Sequence, residues 1–172
     1  MPPPRYSARP FPPYRFVPGR SPHPTRDPQG HSFGEPDPPE TIEPDAWHDR
    51  EGYLFAIDLF NYEYWWEAHE ALEPMWLAAG RTTNDGLFVQ GLIQVSAALL
   101  KHSMGVVDAA RRKGADGCAK LRTTPTRHFG IDVPDFTRQV TQYLAGTRRA
   151  VPVVRLAGVA RLLESRGSTP SR

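Results

Sequence analysis

Apolar residues fall at helical spacing through most of this chain, but only after its first quarter. Tyr53, Leu54, Ile57 and Phe60 recur at intervals of three and four, behind an Asp45 suited to cap them, and Asn61 ends the run. A second helix is predicted over about 62–79 and closed by Gly80, a residue that ends helices readily. A third is predicted over about 86–104, with Asn84 or Asp85 as its cap. Gly105 separates it from a fourth over about 106–121, weakened by Gly114 and Gly117. A fifth follows Pro134, over about 135–144. Leu156, Val159, Leu162 and Leu163 give a weaker pattern for one more short helix. No strand pattern competes, and the short connections predict antiparallel neighbours. The expected fold is all-α: a compact bundle of about five helices over 45–146, followed by a tail over 147–172.

Residues 1–44 break the pattern. Fourteen of the nineteen prolines precede Trp47, and proline fixes φ, removes a donor and biases its predecessor away from helix. Yet Tyr6, Phe11, Tyr14, Phe16 and Phe33 are aromatics that a solvated linker seldom carries. An extended arm laid over the helices is the preferred reading, with disorder as the alternative. A docked arm would bring His23 or His31 within reach of the candidate site on the second helix.

The net charge of +2 conceals a division. Residues 46–99 carry two basic and eight acidic side chains, net −6, whereas 100–172 carry fourteen and five, net +9. The two halves are expected to attract each other. Glu63, Glu67 and Glu70, read as a solvated acidic edge, would pair with Arg111, Arg112, Lys113, Lys120, Arg122, Arg148 and Arg149. A polyanion such as RNA is the competing partner, disfavoured because no aromatics interleave with the basic stretch 111–122. The single cysteine, Cys118, excludes an internal disulfide and fits a reducing compartment. No apolar run reaches the ~20 residues of a membrane helix, and MPPPRYSARPFPPY lacks the core of a secretory signal. A cytoplasmic protein without a membrane partner is expected; a homo-oligomer stays open.

The second helix carries the candidate chemistry. Tyr62, Trp65, Trp66, His69, Leu72, Glu73 and Trp76 share one face, with His69 and Glu73 one turn apart among the aromatics. Burying both groups costs several kcal/mol unless they are paired, protonated or bound to a cation. Two explanations stay open: a hydrogen bond ordering the core, or a divalent metal ion held by the i, i+4 pair. Either predicts side chains that are mostly buried and within ~4 Å of each other or of a common ion. The run His69–Glu73 lacks the second histidine of the zincin motif, and Trp66 stands where a bundle di-iron motif needs glutamate.

On the third helix Gln90, Gln94 and Lys101 form a polar stripe, bordered by Gly91 and Ala98, which would let a neighbouring helix approach closely. The two glutamines are either a wet face or point into the cavity of His69 and Glu73, holding the ligands from behind. His102 could join only at the rim.

LFNYEYWWEAHEALEPMW followed by FVQGLIQVSAALLKH resembles the uncharacterised bacterial family known as domain of unknown function 309. The shared features are His-x-x-x-Glu followed, after two intervening residues, by Trp, here His69, Glu73 and Trp76, and the block Gln90 to Gln94. The resemblance covers about residues 46–125 and implies an all-helical bundle with a metal-binding role for the motif. FVPGRSPHPTRDPQGHSFG also resembles an extension found in some members. Pro74 departs from the pattern, because it removes the amide facing the Glu70 carbonyl and should kink the helix.

No nucleophile elbow, Walker loop or dinucleotide fingerprint is present. Three function classes remain: a metal-binding protein with hydrolysis as its chemistry, a helical interaction module without chemistry, and a nucleic-acid adaptor using the basic half.

Overall fold

A computed structural model describes residues 2–35 and 46–159 of the chain. Among them, one short 3-10 turn (Trp47–Asp49) leads into α1 (Glu51–Asn61), α2 (Trp65–Ala79), α3 (Asn84–Ser103) and α4 (Val107–Arg122). Strands β1 (Arg127–His128) and β2 (Ile131–Asp132) then precede α5 (Val133–Ala145). Each of α1 to α4 packs on the next helix, α4 on α5 included, so the all-α reading holds. No helix among the described residues is long and apolar enough to cross a membrane.

The ends of the elements correct the sequence reading where side chains decide them. α2 starts at Trp65 rather than Tyr62, because Glu63 takes a left-handed turn (φ 68°) that lets the Tyr64 amide reach back to the Leu59 carbonyl. Thr83, not Asn84 or Asp85, caps α3, its hydroxyl accepting the Gly86 amide at 3.0 Å. Asp45, the expected cap of the first helix, lies outside the described residues. α2 runs on through Pro74. The two-residue strand pair is a feature no periodicity could announce; it closes over Phe129 (φ 41°) and Gly130 (φ 76°), a primed-type turn.

The glycines of α4 have a packing role that propensity hides. A Cβ at Gly117 would stand 2.9 Å from the Gly91 carbonyl oxygen, and one at Gly91 would stand 2.7 Å from Leu121 Cγ. Both residues must lack a side chain for α3 and α4 to touch, and Ala98 sits fully buried on the same α3 face near Gly114.

α1 is buried on every side; of its eleven residues only Glu51 is exposed. A helix apolar all round needs cover all round, and two extended segments complete it. Residues 151–156 run extended rather than helical, as β-branched valines around Pro152 favour. Leu156 is buried there, Val159 is packed against the core, and Leu162 and Leu163 lie outside the described residues. Asn61 holds this segment like a neighbouring strand: Oδ1 accepts the Val154 amide at 2.8 Å and Nδ2 donates to its carbonyl at 2.9 Å.

The N-terminal arm covers the other side. Tyr6 and Phe16 are buried, and Phe11 stacks on Tyr64 with ring centroids 5.1 Å apart. The prolines can only accept, and the turn between α1 and α2 supplies donors: Tyr62 Oη donates to the Pro3 carbonyl and Tyr64 Oη to that of Pro12. The anchor is Asp58, wholly buried in α1. Its two oxygens accept the Tyr6 and Ser7 amides at 2.8 and 2.7 Å, with Arg5 Nε 3.7 Å away.

Asp58→Ala leaves those two amides buried without acceptors, at ~1–3 kcal/mol each. The variant should unfold at lower urea and be cut rapidly by trypsin after Arg5, Arg15 and Arg20; unchanged protection would show that docking does not depend on this carboxylate.

Burial pushes the Asp58 carboxyl from its ordinary 3.8 up to about 6, against the opposing pull of the Ser7 and Tyr6 amides and Arg5. A folded value above the unfolded one means a contribution to stability that is full below pH 3.8 and lost as pH rises through about 6. Urea midpoints of the wild type, measured relative to Asp58→Asn, should fall across that window. A flat difference contradicts the assignment.

Candidate functional site

α2 presents its acidic residues in three settings. His69 Nε2 lies 3.5 Å from Glu73 Oε1, and Nδ1 of the same ring lies 3.1 Å from Glu70 Oε1. The pair expected from the sequence is formed, but on the rim rather than in the core: the side chains of His69 and Glu73 are 28% and 46% exposed. The reason lies one turn away. The buried residues of α2 are Trp65, Glu67, Ala68, Leu72 and Met75, so the face turned inward is offset from the aromatic one.

The remaining expected site residues lie elsewhere. Gln94 packs its Cβ beside Gly117 at the α3–α4 contact, with Oε1 buried and unpartnered among the described residues. Among the described residues neither Gln90 nor Gln94 bonds to His69 or Glu73, and His102 packs on the ring of Tyr143, 4.9 Å away. Two donors 3.5 Å apart could share an ion, yet a resident zinc takes three or four protein ligands. Among the described residues no group of three His, Cys, Asp or Glu side chains could hold a metal, and Glu70 engages the opposite nitrogen of the ring. These residues alone do not fit a resident metal site.

Among the described residues the acidic edge forms no ion pair with the basic half either. Glu63 pairs with Arg15 of the arm at 3.3 Å, Glu70 with His69 and Glu67 with His31. Arg111 and Arg122 instead bond to the Leu144 carbonyl and the Thr141 hydroxyl. The arm is the counterpart that charge counting assigned to the C-terminal half.

Glu67 is the residue the sequence reading misplaced. It is 5% exposed, not solvated. Its Oε1 accepts the Phe16 amide at 2.7 Å and lies 3.2 Å from His31 Nε2, while Oε2 is buried with no hydrogen-bond partner among the described residues. Desolvation holds its carboxyl above the ordinary range, against the lowering effect of the backbone amides and His31. Phe16 and His23 close over Trp66, with centroids 5.1 and 5.3 Å away. Between the arm and the helices α1 and α2 lies a cavity of about 340 Å³. Its wall joins Glu67, Glu70, Trp66, Phe55 and Ala71 to Arg9 and His31 of the arm. The signal that could have found it was the arm itself, where histidines and aromatics alternate with prolines.

Fold and site define an all-helical protein with a cleft roofed by its own N-terminal arm. A family model described as domain of unknown function (DUF309) matches residues 53–113. The resemblance drawn from His69, Glu73, Trp76 and the Gln90–Gln94 block is borne out across α1, α2, α3 and the start of α4. The arm and α5 lie outside the matched residues. No curated protein matches the chain.

If His69 and Glu73 form only a half-exposed ion pair, His69→Ala should cost about 0.5 kcal/mol. The shift in melting temperature should then be the same in chelator and in zinc. A loss confined to the zinc-containing sample would establish a metal there.

Proposed function

We propose that the protein is a helical ligand-binding protein whose site is the cleft between the N-terminal arm and α1–α2. The observation that carries this reading is the convergence on one cavity of about 340 Å³ of Arg9 and His31 from the arm with Trp66 and the buried Glu67 from α2. The walls suit a small molecule: Phe55, Leu59 and Trp66 supply apolar surface, and Arg9 and Glu67 supply oriented charge.

A metal-dependent hydrolase centred on His69 and Glu73, the role implied by the family motif, is the second reading. The 3.5 Å separation of their donor atoms favours it. It needs a third ligand beyond those the described residues bring there.

Anilinonaphthalene sulfonate, an apolar anion, probes the cleft directly. The folded protein should bind it saturably, with a change in Trp66 emission. Ala71→Trp, which fills the cavity, should weaken binding by about tenfold, ~1.4 kcal/mol. Equal binding by the two proteins would sink the cleft as the site.

A further inference from the structure

The cleft brings a serine, a histidine and a glutamate into one line. Ser32 Oγ lies 2.9 Å from His31 Nδ1, and Nε2 of that ring lies 3.2 Å from Glu67 Oε1. All three residues line the cavity. The side chains of His31 and Glu67 are each 5% exposed, whereas Ser32 is half-buried and open to an incoming molecule.

Each member is held by a group outside the line. Tyr14 packs its ring on His31 at 4.7 Å, and its hydroxyl accepts the His31 amide at 3.2 Å while donating to the Pro22 carbonyl at 3.0 Å. The Ser32 amide donates to the Pro24 carbonyl, and the Phe16 amide pins Glu67 Oε1. Nucleophile, base and orienting carboxylate stand in hydrogen-bond order, each fixed independently, which is what nucleophilic catalysis by a hydroxyl requires. The ring is turned so that Nδ1 faces the serine.

We infer that Ser32, His31 and Glu67 form a nucleophilic site that hydrolyses small carboxylic esters. The inference rests on the cleft being the binding site. Glu67 Oε1 accepts a hydrogen bond from His31 Nε2–H, which leaves the Nδ1 lone pair directed at the Ser32 hydroxyl. Ser32 Oγ bonds to the ester carbonyl carbon as its proton passes to Nδ1. The tetrahedral intermediate then collapses, the ester C–O bond breaks, and the alcohol departs with the proton from Nδ1. Water adds to the acyl-serine by the same route, gives a proton to Nδ1 and releases the acid as Ser32 recovers its proton. Ester and water become acid and alcohol, with no change of oxidation state. Glu35, Glu67 and Glu70 outnumber Arg9 in the wall and disfavour an anionic substrate, and a cavity of about 340 Å³ faced by Phe55 and Leu59 limits the ester to short apolar acyl groups.

The test uses the full chain with a fluorophosphonate probe and p-nitrophenyl butyrate. Mass spectrometry should place the phosphonyl group on Ser32. Ser32→Ala should lose labelling and at least about 100-fold in ester hydrolysis with unchanged melting temperature and tryptic pattern. His31→Gln should lose labelling while Ser32 remains in place. Ser32→Cys, treated with iodoacetamide, reports access to the position. An unlabelled Ser32 beside an alkylated Ser32→Cys overturns the catalytic inference and leaves the cleft as a binding site. Failure of both reactions overturns the two readings together, and labelling confined to another serine overturns the catalytic one.

Discussion

Burying α1 on all sides is the constraint from which the rest of the architecture follows. A helix in a bundle usually keeps one stripe in water, but ten of the eleven residues of α1 are buried. The bundle cannot supply that much cover with helices alone, so two extended segments from opposite ends of the chain complete it. Asp58 and Asn61, the polar residues inside α1, take over the backbone hydrogen bonds that a neighbouring strand would make. Polar groups in the middle of the core thus become its means of attaching chain that has no regular structure.

The candidate site is a by-product of that cover. Once Asp58 fixes Tyr6 and Ser7, the following residues cross α2, where Phe16 and His31 converge on Glu67. Of the fourteen residues that line the cleft, seven lie in the matched region and six in the arm. The shared helices and the added arm therefore answer for different things. The helices hold a buried carboxylate in place; the arm decides what faces it.

How much of this was legible follows from what hydrophobic spacing encodes. Periodicity reports which face of a helix is apolar, so the helices and their order could be read from Tyr53, Leu92 or Val95 without a structure. It does not report which part of that face a non-helical segment will cover. Glu67 looked solvated because it sits beside Glu63 and Glu70 in sequence, and His69 looked buried because tryptophans flank it. The arm reverses both by covering Glu67 and leaving His69 at the rim. Up to Val159 the tail is not helical for a related reason: Leu156 has helical spacing, but valines flank Pro152 and Asn61 captures Val154.

The prolines of the arm bear on the thermodynamics of its docking. A segment of ordinary composition would surrender roughly 1–2 kcal/mol of backbone entropy for each residue ordered on the surface. Residues such as Pro3, Pro4, Pro10, Pro12 and Pro13 have little φ freedom to lose, because the ring has removed it before folding begins. The arm thus reaches α2 already partly extended. Tyrosine-to-carbonyl bonds, the buried carboxylates of Asp58 and Glu67 and the buried rings of Tyr6 and Phe16 then hold a segment that had less freedom to give up.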